Sequence, residues 1–94
     1  MAIKQSIHTL SSSQSILISP KGVHAGVDIT IQNLSSTGFI FIGNTETTLT
    51  NFGYRISPGS AWSVELSGKD YIYATTDADG TVAAVFMLNL ESGN

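Results

Sequence analysis

Apolar and polar residues alternate in short runs along most of the chain, starting at Gln14. The clearest run is residues 27–32, where Val, Ile and Ile alternate with Asp, Thr and Gln, as in a strand with one buried face. No window shows helical periodicity over about ten residues. About seven or eight such strands, with turn residues roughly every 8–12 positions, predict an all-β protein. We expect a compact antiparallel β-sandwich or small barrel, of jelly-roll or immunoglobulin-like type.

Two runs are apolar at consecutive positions and therefore lack a polar face. Residues 39–42, Phe-Ile-Phe-Ile, are bounded by glycines. They predict a strand covered by the core on one side and by a neighbour on the other. In residues 81–90 the apolar side chains at even positions share one face, while Val85 and Met87 lie on the opposite face. We expect the middle of this strand to be covered on both sides as well.

Glycine, proline and aspartate mark the turns between the strands. Residues 57–60, Ser-Pro-Gly-Ser, suit a type II turn, because Pro fixes φ at the second position and Gly accepts a positive φ at the third. Residues 20–22 predict another turn, and the polar, β-branched residues 45–50 predict an edge strand. Residues 77–80, Asp-Ala-Asp-Gly, resemble the start of a calcium loop. Thr81 then begins an apolar strand instead of supplying further ligands, so a hairpin turn is favoured.

Residues 1–13 differ from the rest of the chain. Their apolar residues, Ile3, Ile7 and Leu10, are separated by polar residues and followed by three serines. Ser, Thr and Ile lower helix propensity, and the segment is too short for a stable isolated helix. We therefore expect an extended N-terminal arm over residues 1–13, the alternative being a frayed terminus, and a single β-sandwich domain over residues 14–94.

Charged residues make up only 12% of the chain, about half of the usual fraction, and serine and threonine supply much of the polarity. A surface with so little charge tends to associate with other protein. The formal net charge is −3 and the cations are scattered, so nucleic acid is not an expected partner. No apolar run approaches the roughly 20 residues that span a bilayer. The N-terminus lacks a secretory signal pattern, so we expect synthesis in a cytoplasm and no membrane partner.

The sequence carries no recognisable catalytic or metal-binding set. The absence of cysteine excludes disulfides, thiolate zinc sites and cysteine nucleophiles. Nothing in the sequence brings His8 and His24 together, and no serine lies in a nucleophile-elbow motif. The carboxylates of Glu46, Glu65 and Glu91 fall on separate predicted strands or at the terminus. We therefore expect no catalytic residue, no metal, no cofactor and no enzymatic activity.

Aromatic residues supply one candidate binding surface. Phe52, Tyr54 and Trp62 lie around predicted turns, and exposed rings of this kind stack on sugars in carbohydrate-binding modules. Trp62 has the same parity as the apolar residues that follow it on its strand, however, which favours a core position. Tyr71 and Tyr73 share a parity opposite to that of the isoleucine between them. One of these two sets must face outward or into an interface.

Three segments resemble small β-sandwich proteins encoded among the virion genes of tailed bacteriophages. They are residues 29–44 (from ITIQNL through IGN), 53–60 (GYRISPGS) and 70–75 (DYIYAT), followed by a final valine-rich strand. The resemblance covers about residues 27–88. It implies a non-enzymatic virion structural protein, assembled in the host cytoplasm, that serves as a capsid decoration (cement) subunit or as a head or tail accessory part.

A decoration subunit must bind a repetitive protein shell and need not catalyse any reaction. Its expected partners are copies of itself, with a homotrimer favoured, and other virion proteins such as the major capsid protein. The candidate interaction surface consists of Ile3, Ile7, Leu10, Phe39, Phe41, Tyr71 and Tyr73. The alternative is a carbohydrate-binding or adhesive module of a tail or fibre. Its partner is a glycan, and its candidate sugar-stacking residues are Phe52, Tyr54 and Trp62.

Overall fold

The computed structural model describes residues 3–19, 26–66 and 70–89, and every regular element within these ranges is a β-strand. The strands are β1 (Ile3–Thr9), β2 (Ile16–Leu17), β3 (Val27–Asn33), β4 (Ile40–Gly43), β5 (Tyr54–Ile56), β6 (Ala61–Leu66), β7 (Tyr73–Thr76) and β8 (Val82–Asn89). The all-β prediction is confirmed. The turn predicted at residues 20–22, together with His24 and Glu91, lies outside the described residues.

The strands form two four-stranded sheets in which every described pair is antiparallel. The first sheet has the order β1-β8-β3-β6, and the second has the order β2-β7-β4-β5. Consecutive strands lie in opposite sheets, except β4 and β5, which pair with each other in the second sheet. The chain therefore passes from one sheet to the other at nearly every connection. As a result, most paired strands are far apart in the sequence.

Two predicted turns occur as tight connections. Ser60 N donates a hydrogen bond to Ser57 O at 3.0 Å, and Gly59 has φ +77°, which confirms the turn at residues 57–60. Gly80 has φ +92° in the turn at residues 77–80. The prediction of a hairpin at this second turn is wrong, because β7 and β8 lie in different sheets. The turn carries the chain from one sheet to the other.

The hydrophobic core lies between the inner faces of the two sheets. Ile29 and Ile31 of β3 and Ile40 of β4 have 0% exposed surface, and Val85 of β8 is also buried. On β3 the buried positions alternate with more exposed polar ones, as the sequence pattern predicts. Burial of each such side chain stabilises the fold by about 1.5–3 kcal/mol, so these β-branched core residues supply much of the folding free energy.

The outer side of β4 is covered by the protein's own chain. Phe41 faces away from the core and is buried, and its ring contacts Phe52 edge to face at a centroid distance of 4.8 Å. Phe39 lies under the guanidinium of Arg55, 4.8 Å from its ring centroid. The sequence pattern predicts that a neighbour covers this side of the strand, whereas in the structure the loop between β4 and β5 covers Phe41.

Residues 45–50, predicted as an edge strand, belong to that loop and contain no strand. Asn44 organises its first turn. The side-chain oxygen of Asn44 accepts a hydrogen bond from Glu46 N at 2.9 Å, and its backbone oxygen accepts one from Thr47 Oγ1 at 2.6 Å. Such local bonds compete with strand pairing, which is why a β-branched composition does not produce a strand here.

The described part of residues 1–13 lies within the sandwich. Strand β1 pairs with β8 at seven successive positions, from Ile3 opposite Leu88 to Thr9 opposite Val82. Leu10 then enters the core, and its backbone N and O bond to residues of the turn before β8. The segment is extended, as predicted, but Ile3–Thr9 is an edge strand of the first sheet rather than a projecting arm.

A buried asparagine ties the end of β3 to the opposite sheet. Asn33 has 0% exposed surface, and its side-chain Nδ2 donates to Ile56 O at 3.1 Å and to Gly38 O at 2.8 Å. Its Oδ1 accepts from Ser35 N at 2.9 Å. Every polar group of this side chain thus has a partner, as burial requires.

Candidate functional site

The outer face of the first sheet carries an apolar stripe along β8, flanked on β1 by Ile3 and Ile7 with Gln5 between them. The strand register places Ile3 beside Leu88 and Ile7 beside Ala84. Ile3 is 62% exposed and Ile7 is 65% exposed, while Phe86 is 41% exposed. We define the apolar stripe as Ile3, Ile7, Val82, Ala84, Phe86 and Leu88. Adjacent exposed side chains of this size are characteristic of a surface that binds another molecule.

The other half of the same face is polar. Across β3 and β6 the outward positions hold Asp28 opposite Glu65 and Thr30 opposite Ser63. The hydroxyls of Thr30 and Ser63 lie 2.7 Å apart. A depression of about 340 Å³ extends from Gln5 and Ile7 of β1 across Phe86 to Thr30 of β3. The apolar half is therefore bounded by a polar half, an arrangement typical of a binding surface with a polar rim.

Strand β1 is the outermost strand of the first sheet. In the described part of the chain it pairs with β8 alone, so one row of its backbone groups faces outward. On its inner face the side chains are polar: Ser6 Oγ and His8 Nε2 lie 3.0 Å apart, and Lys4 is exposed. An inward charge at an edge limits non-specific strand addition. The outward isoleucines are thus the part of β1 that is suited to a specific partner.

The structure does not bring the predicted interaction residues onto one surface. Ile3 and Ile7 belong to the apolar stripe, whereas Leu10 is a core residue and is not accessible to a partner. Phe41 is covered by its own loop. Phe39 and Tyr73 lie half-buried on the outer side of the second sheet, and Tyr71 lies elsewhere, in a cleft.

That cleft opens where the last strands of the two sheets, β5 and β6, meet. Its volume is about 410 Å³. The rings of Tyr54 and Trp62 stack at its wall, with centroids 5.5 Å apart and planes at 26°. Tyr71 and Asp70 line it as well, whereas Glu65 borders it with its side chain turned to the outer face of the first sheet. Apolar residues from both sheets complete the lining: Ile42, Val64, Leu66 and Ile72.

The strand pairing explains why these rings meet. Tyr54 stands opposite Ile42 at the edge of the second sheet, and Trp62 stands opposite Ile31 at the edge of the first. The backbone beside Tyr71 is held at Ile72, whose N donates to Ser19 Oγ at 2.8 Å and whose O accepts from Ile18 N at 2.9 Å. These two bonds tie this side of the cleft to residues 18 and 19.

The predicted sugar-stacking set is divided by the structure. Tyr54 and Trp62 lie together in the cleft, and Trp62 also packs against the core, in agreement with its parity. Phe52 lies apart from them, against Phe41. Tyr71 lines the cleft instead, and no local sequence signal identifies it, because the cleft is formed by residues that are far apart in the sequence.

The two aspartates of the turn at residues 77–80 are engaged with the backbone. Asp77 Oδ1 accepts a hydrogen bond from Phe39 N at 3.0 Å, and Asp79 Oδ1 accepts one from Ser12 N at 2.6 Å. The backbone and side-chain hydrogen bonds from Ser12 lower the pKa of Asp79 below its ordinary value of 3.8. These carboxylates tether neighbouring loops to the turn.

Within the ranges that the structure describes, no group of three or more His, Cys, Asp or Glu side chains is placed to hold a metal ion. No helix among the described residues has the length and apolar character needed to cross a membrane. No protein-family model, no curated protein and no solved structure matches the chain.

Proposed function

We propose that this chain is a non-enzymatic virion structural protein, a capsid decoration subunit that binds the assembled shell as a homo-oligomer, with a trimer favoured. The apolar stripe on β1 and β8 is the observation that carries the proposal. Its three most exposed members, Ile3, Ile7 and Phe86, present apolar surface that a partner would remove from water. Burial of such a side chain contributes about 1.5–3 kcal/mol.

The charge pattern supports protein as the partner. The stripe contains no ionisable side chain, and the whole chain is only 12% charged, so its approach to another protein meets little desolvation cost. Interfaces are depleted in charge at their centre and polar at their rim, and the Thr30 and Ser63 hydroxyls lie at the edge of the stripe. Association through a repeated patch favours a closed cyclic oligomer.

The strand order supports a jelly-roll fold. In an eight-stranded jelly roll the first and last strands in the sequence pair with each other, and the two sheets have the strand orders 1-8-3-6 and 2-7-4-5. The same orders are found in this chain. This architecture builds viral capsid proteins as well as lectins. Fold alone does not specify function. The virion assignment rests on the resemblance of residues 27–88 to phage structural proteins, and the stripe supplies the means of attachment.

Sedimentation velocity of the purified chain and co-sedimentation with shells of the major capsid protein from the same virion test the proposal. We expect a trimer in solution or binding that requires the assembled shell. The double variant Ile7→Thr/Phe86→Thr keeps β-propensity but should weaken association by about tenfold or more. The control is Leu49→Thr, which changes an exposed apolar residue outside the stripe. A monomer that does not bind shells would refute the proposal.

A second candidate function, a carbohydrate-binding module, is favoured by the aromatic cleft between β5 and β6. Tyr54, Trp62 and Tyr71 gather there around an apolar floor. Lectins are also built on jelly rolls. The cleft and the stripe involve different strands, so one subunit can carry both a shell contact and a glycan site.

A further inference from the structure

We propose that the outer face of the first sheet binds a shell surface that presents a basic side chain close to an apolar one. The basic side chain meets the carboxylates of Asp28 and Glu65, and the apolar one enters the depression over Ala84. This contact is a more specific form of the shell attachment proposed above and rests on that proposal. It gives the partner surface a stated chemistry and extends the contact from the apolar stripe onto the polar half of the face.

One cross-strand row of outward side chains joins the two halves of the face. It runs from Ile3 on β1 through Leu88 on β8 and Asp28 on β3 to Glu65 on β6. Neighbouring strands lie about 4.8 Å apart, so Asp28 is about 5 Å and Glu65 about 10 Å from the apolar stripe at Leu88. A partner that covers the stripe therefore also comes within reach of both carboxylates.

The two carboxylates are a pair of like charges directly opposite each other, an arrangement that destabilises a sheet. The described lysine and arginine side chains lie elsewhere. Lys4 is on the inner side of β1, and Arg55 lies against a phenylalanine ring of the second sheet. A cation from another molecule would relieve the repulsion between Asp28 and Glu65, so the pair selects a basic partner surface.

The depression of about 340 Å³ offers a seat for an apolar side chain. Ala84 is the smallest side chain of the apolar stripe, and the larger Ile7 stands opposite it on β1, with Phe86 two positions along β8. Gln5 and Thr30 add polar groups at the border of the depression. A concave apolar site with a polar border is where the side chains that dominate an interface are typically received.

Strand geometry sets the spacing that the partner must match. Asp28 precedes Thr30 by two residues on β3, a distance of about 7 Å along the strand. The partner therefore needs a lysine or arginine roughly 7–10 Å from its apolar side chain. A second copy of this face does not meet that requirement, because its described outward positions carry the same acidic pair and no basic side chain.

The alternation along β6 separates this contact from the cleft between β5 and β6. Trp62 and Val64 pack against the core, and Leu66 is buried, so these side chains lie on the inner side of the strand. Glu65 lies between them in the sequence and turns to the outer face with Asp28. A basic side chain bound at Glu65 therefore leaves the cleft open.

Co-sedimentation with shells of the major capsid protein at 0.1 and 1 M NaCl tests the role of charge. Wild-type binding should weaken by about tenfold or more, because the Debye length falls from about 10 Å to about 3 Å. The double variant Asp28→Asn/Glu65→Gln keeps the size of both side chains. It should bind about tenfold more weakly at 0.1 M and lose most of the salt dependence. The control is Glu46→Gln, which removes an exposed carboxylate from the loop between β4 and β5.

Urea unfolding separates a loss of binding from a loss of folding. The double variant removes the repulsion between like charges, so it should be at least as stable as the wild type while binding shells more weakly.

A second variant tests the depression. Ala84→Leu fills it and should weaken shell binding by about tenfold or more. The matched control is Ala61→Leu, which adds the same side chain to the same face at the opposite end of β6 from Glu65 and should leave binding unchanged.

Salt-independent shell binding, or unchanged binding by either the double variant or Ala84→Leu, would overturn the inference and leave the shell attachment standing. Stronger binding of the double variant at 0.1 M would show that the partner surface is acidic, which also overturns it. If Ala84→Leu dissociated the oligomer in sedimentation velocity but still bound shells, the face would be a contact between copies of the chain. A wild type that binds no shells at 0.1 M would refute the attachment itself.

Discussion

Replacement of Asn33 by alanine should destabilise the fold more than any substitution of an exposed polar residue. The side chain is fully buried at the end of β3, and it makes three hydrogen bonds, two donated to Gly38 O and Ile56 O and one accepted from Ser35 N. Ile56 belongs to the opposite sheet, so this amide joins the two sheets at one end of the sandwich. Alanine removes all three bonds and leaves their partners in place.

The expected magnitude follows from the burial of those partners. A buried polar group that loses its partner costs about 1–3 kcal/mol. Gly38 and Ile56 are buried, whereas Ser35 is half-buried and can bond to water after the substitution. Two unsatisfied carbonyls therefore give a loss of about 2–6 kcal/mol. A domain of 94 residues is stable by about 5–14 kcal/mol, so the loss is a large part of the total.

Urea unfolding followed by Trp62 fluorescence measures this loss. The unfolding free energy of small proteins falls by about 1–3 kcal/mol per molar urea, so the urea concentration at half-unfolding should fall by about 1 M or more. The control is Asn44→Ala, since Asn44 is exposed and its side-chain oxygen accepts a hydrogen bond from Glu46 N within its own loop. We expect that variant to lose about 1 kcal/mol or less. If Asn33→Ala lost no more than the control, the amide would not be a link between the sheets.

Two further predictions concern the turn that precedes β8. A Cβ at Gly38 would overlap Thr81 Oγ1, so Gly38→Ala should lower stability by about 1–3 kcal/mol in thermal unfolding. Among the described residues, a Cβ at Gly26 would meet the Leu66 carbonyl oxygen at an ordinary 3.6 Å, so Gly26→Ala should change stability far less; equal effects would contradict the steric argument. Because its hydrogen bonds from Ser12 lower the pKa of Asp79, this carboxylate stabilises the folded state above pH 3.8, and the contribution is lost as the pH falls through the lower folded pKa. Asp79→Asn should remove that part of the acid sensitivity, as NMR titration of the wild-type carboxyl and acid unfolding of both proteins would show; identical acid unfolding curves would contradict it.

Residue parity predicts the core of this protein where one strand face is clearly polar. Val27, Ile29 and Ile31 alternate with polar residues, so their burial follows from the period of two alone. In β8 both faces are apolar, and parity gives no answer. The register decides: Ile29 stands opposite Met87 and Ile31 opposite Val85, which turns the odd positions of β8 inward. The side chains at the even-numbered positions of β8, including Phe86, are therefore left on the surface and belong to the apolar stripe.

Sheet membership and the cleft could not be predicted, because both depend on long-range pairing. The sequence of residues 77–80 suits a hairpin equally well as a turn between sheets, since aspartate and glycine favour the local backbone geometry in either case. In the same way, Tyr54 and Trp62 stack only because β5 and β6 end their sheets side by side. Local patterns therefore specified the strands and most turns, while the two candidate surfaces arise from strand order.

Strand order also sets the relation between the two surfaces. The apolar stripe lies on β1 and β8 at one end of the first sheet, and Trp62 and Val64 lie on β6 at the other end. β1 and β6 are separated by two strands, a distance of about 14 Å at roughly 4.8 Å per strand. A subunit attached through Ile3, Ile7 and Phe86 would therefore keep its cleft outside the contact. Sugar binding by shell-attached subunits should match that of the free protein, and a loss of sugar binding on attachment would place the cleft within the shell contact.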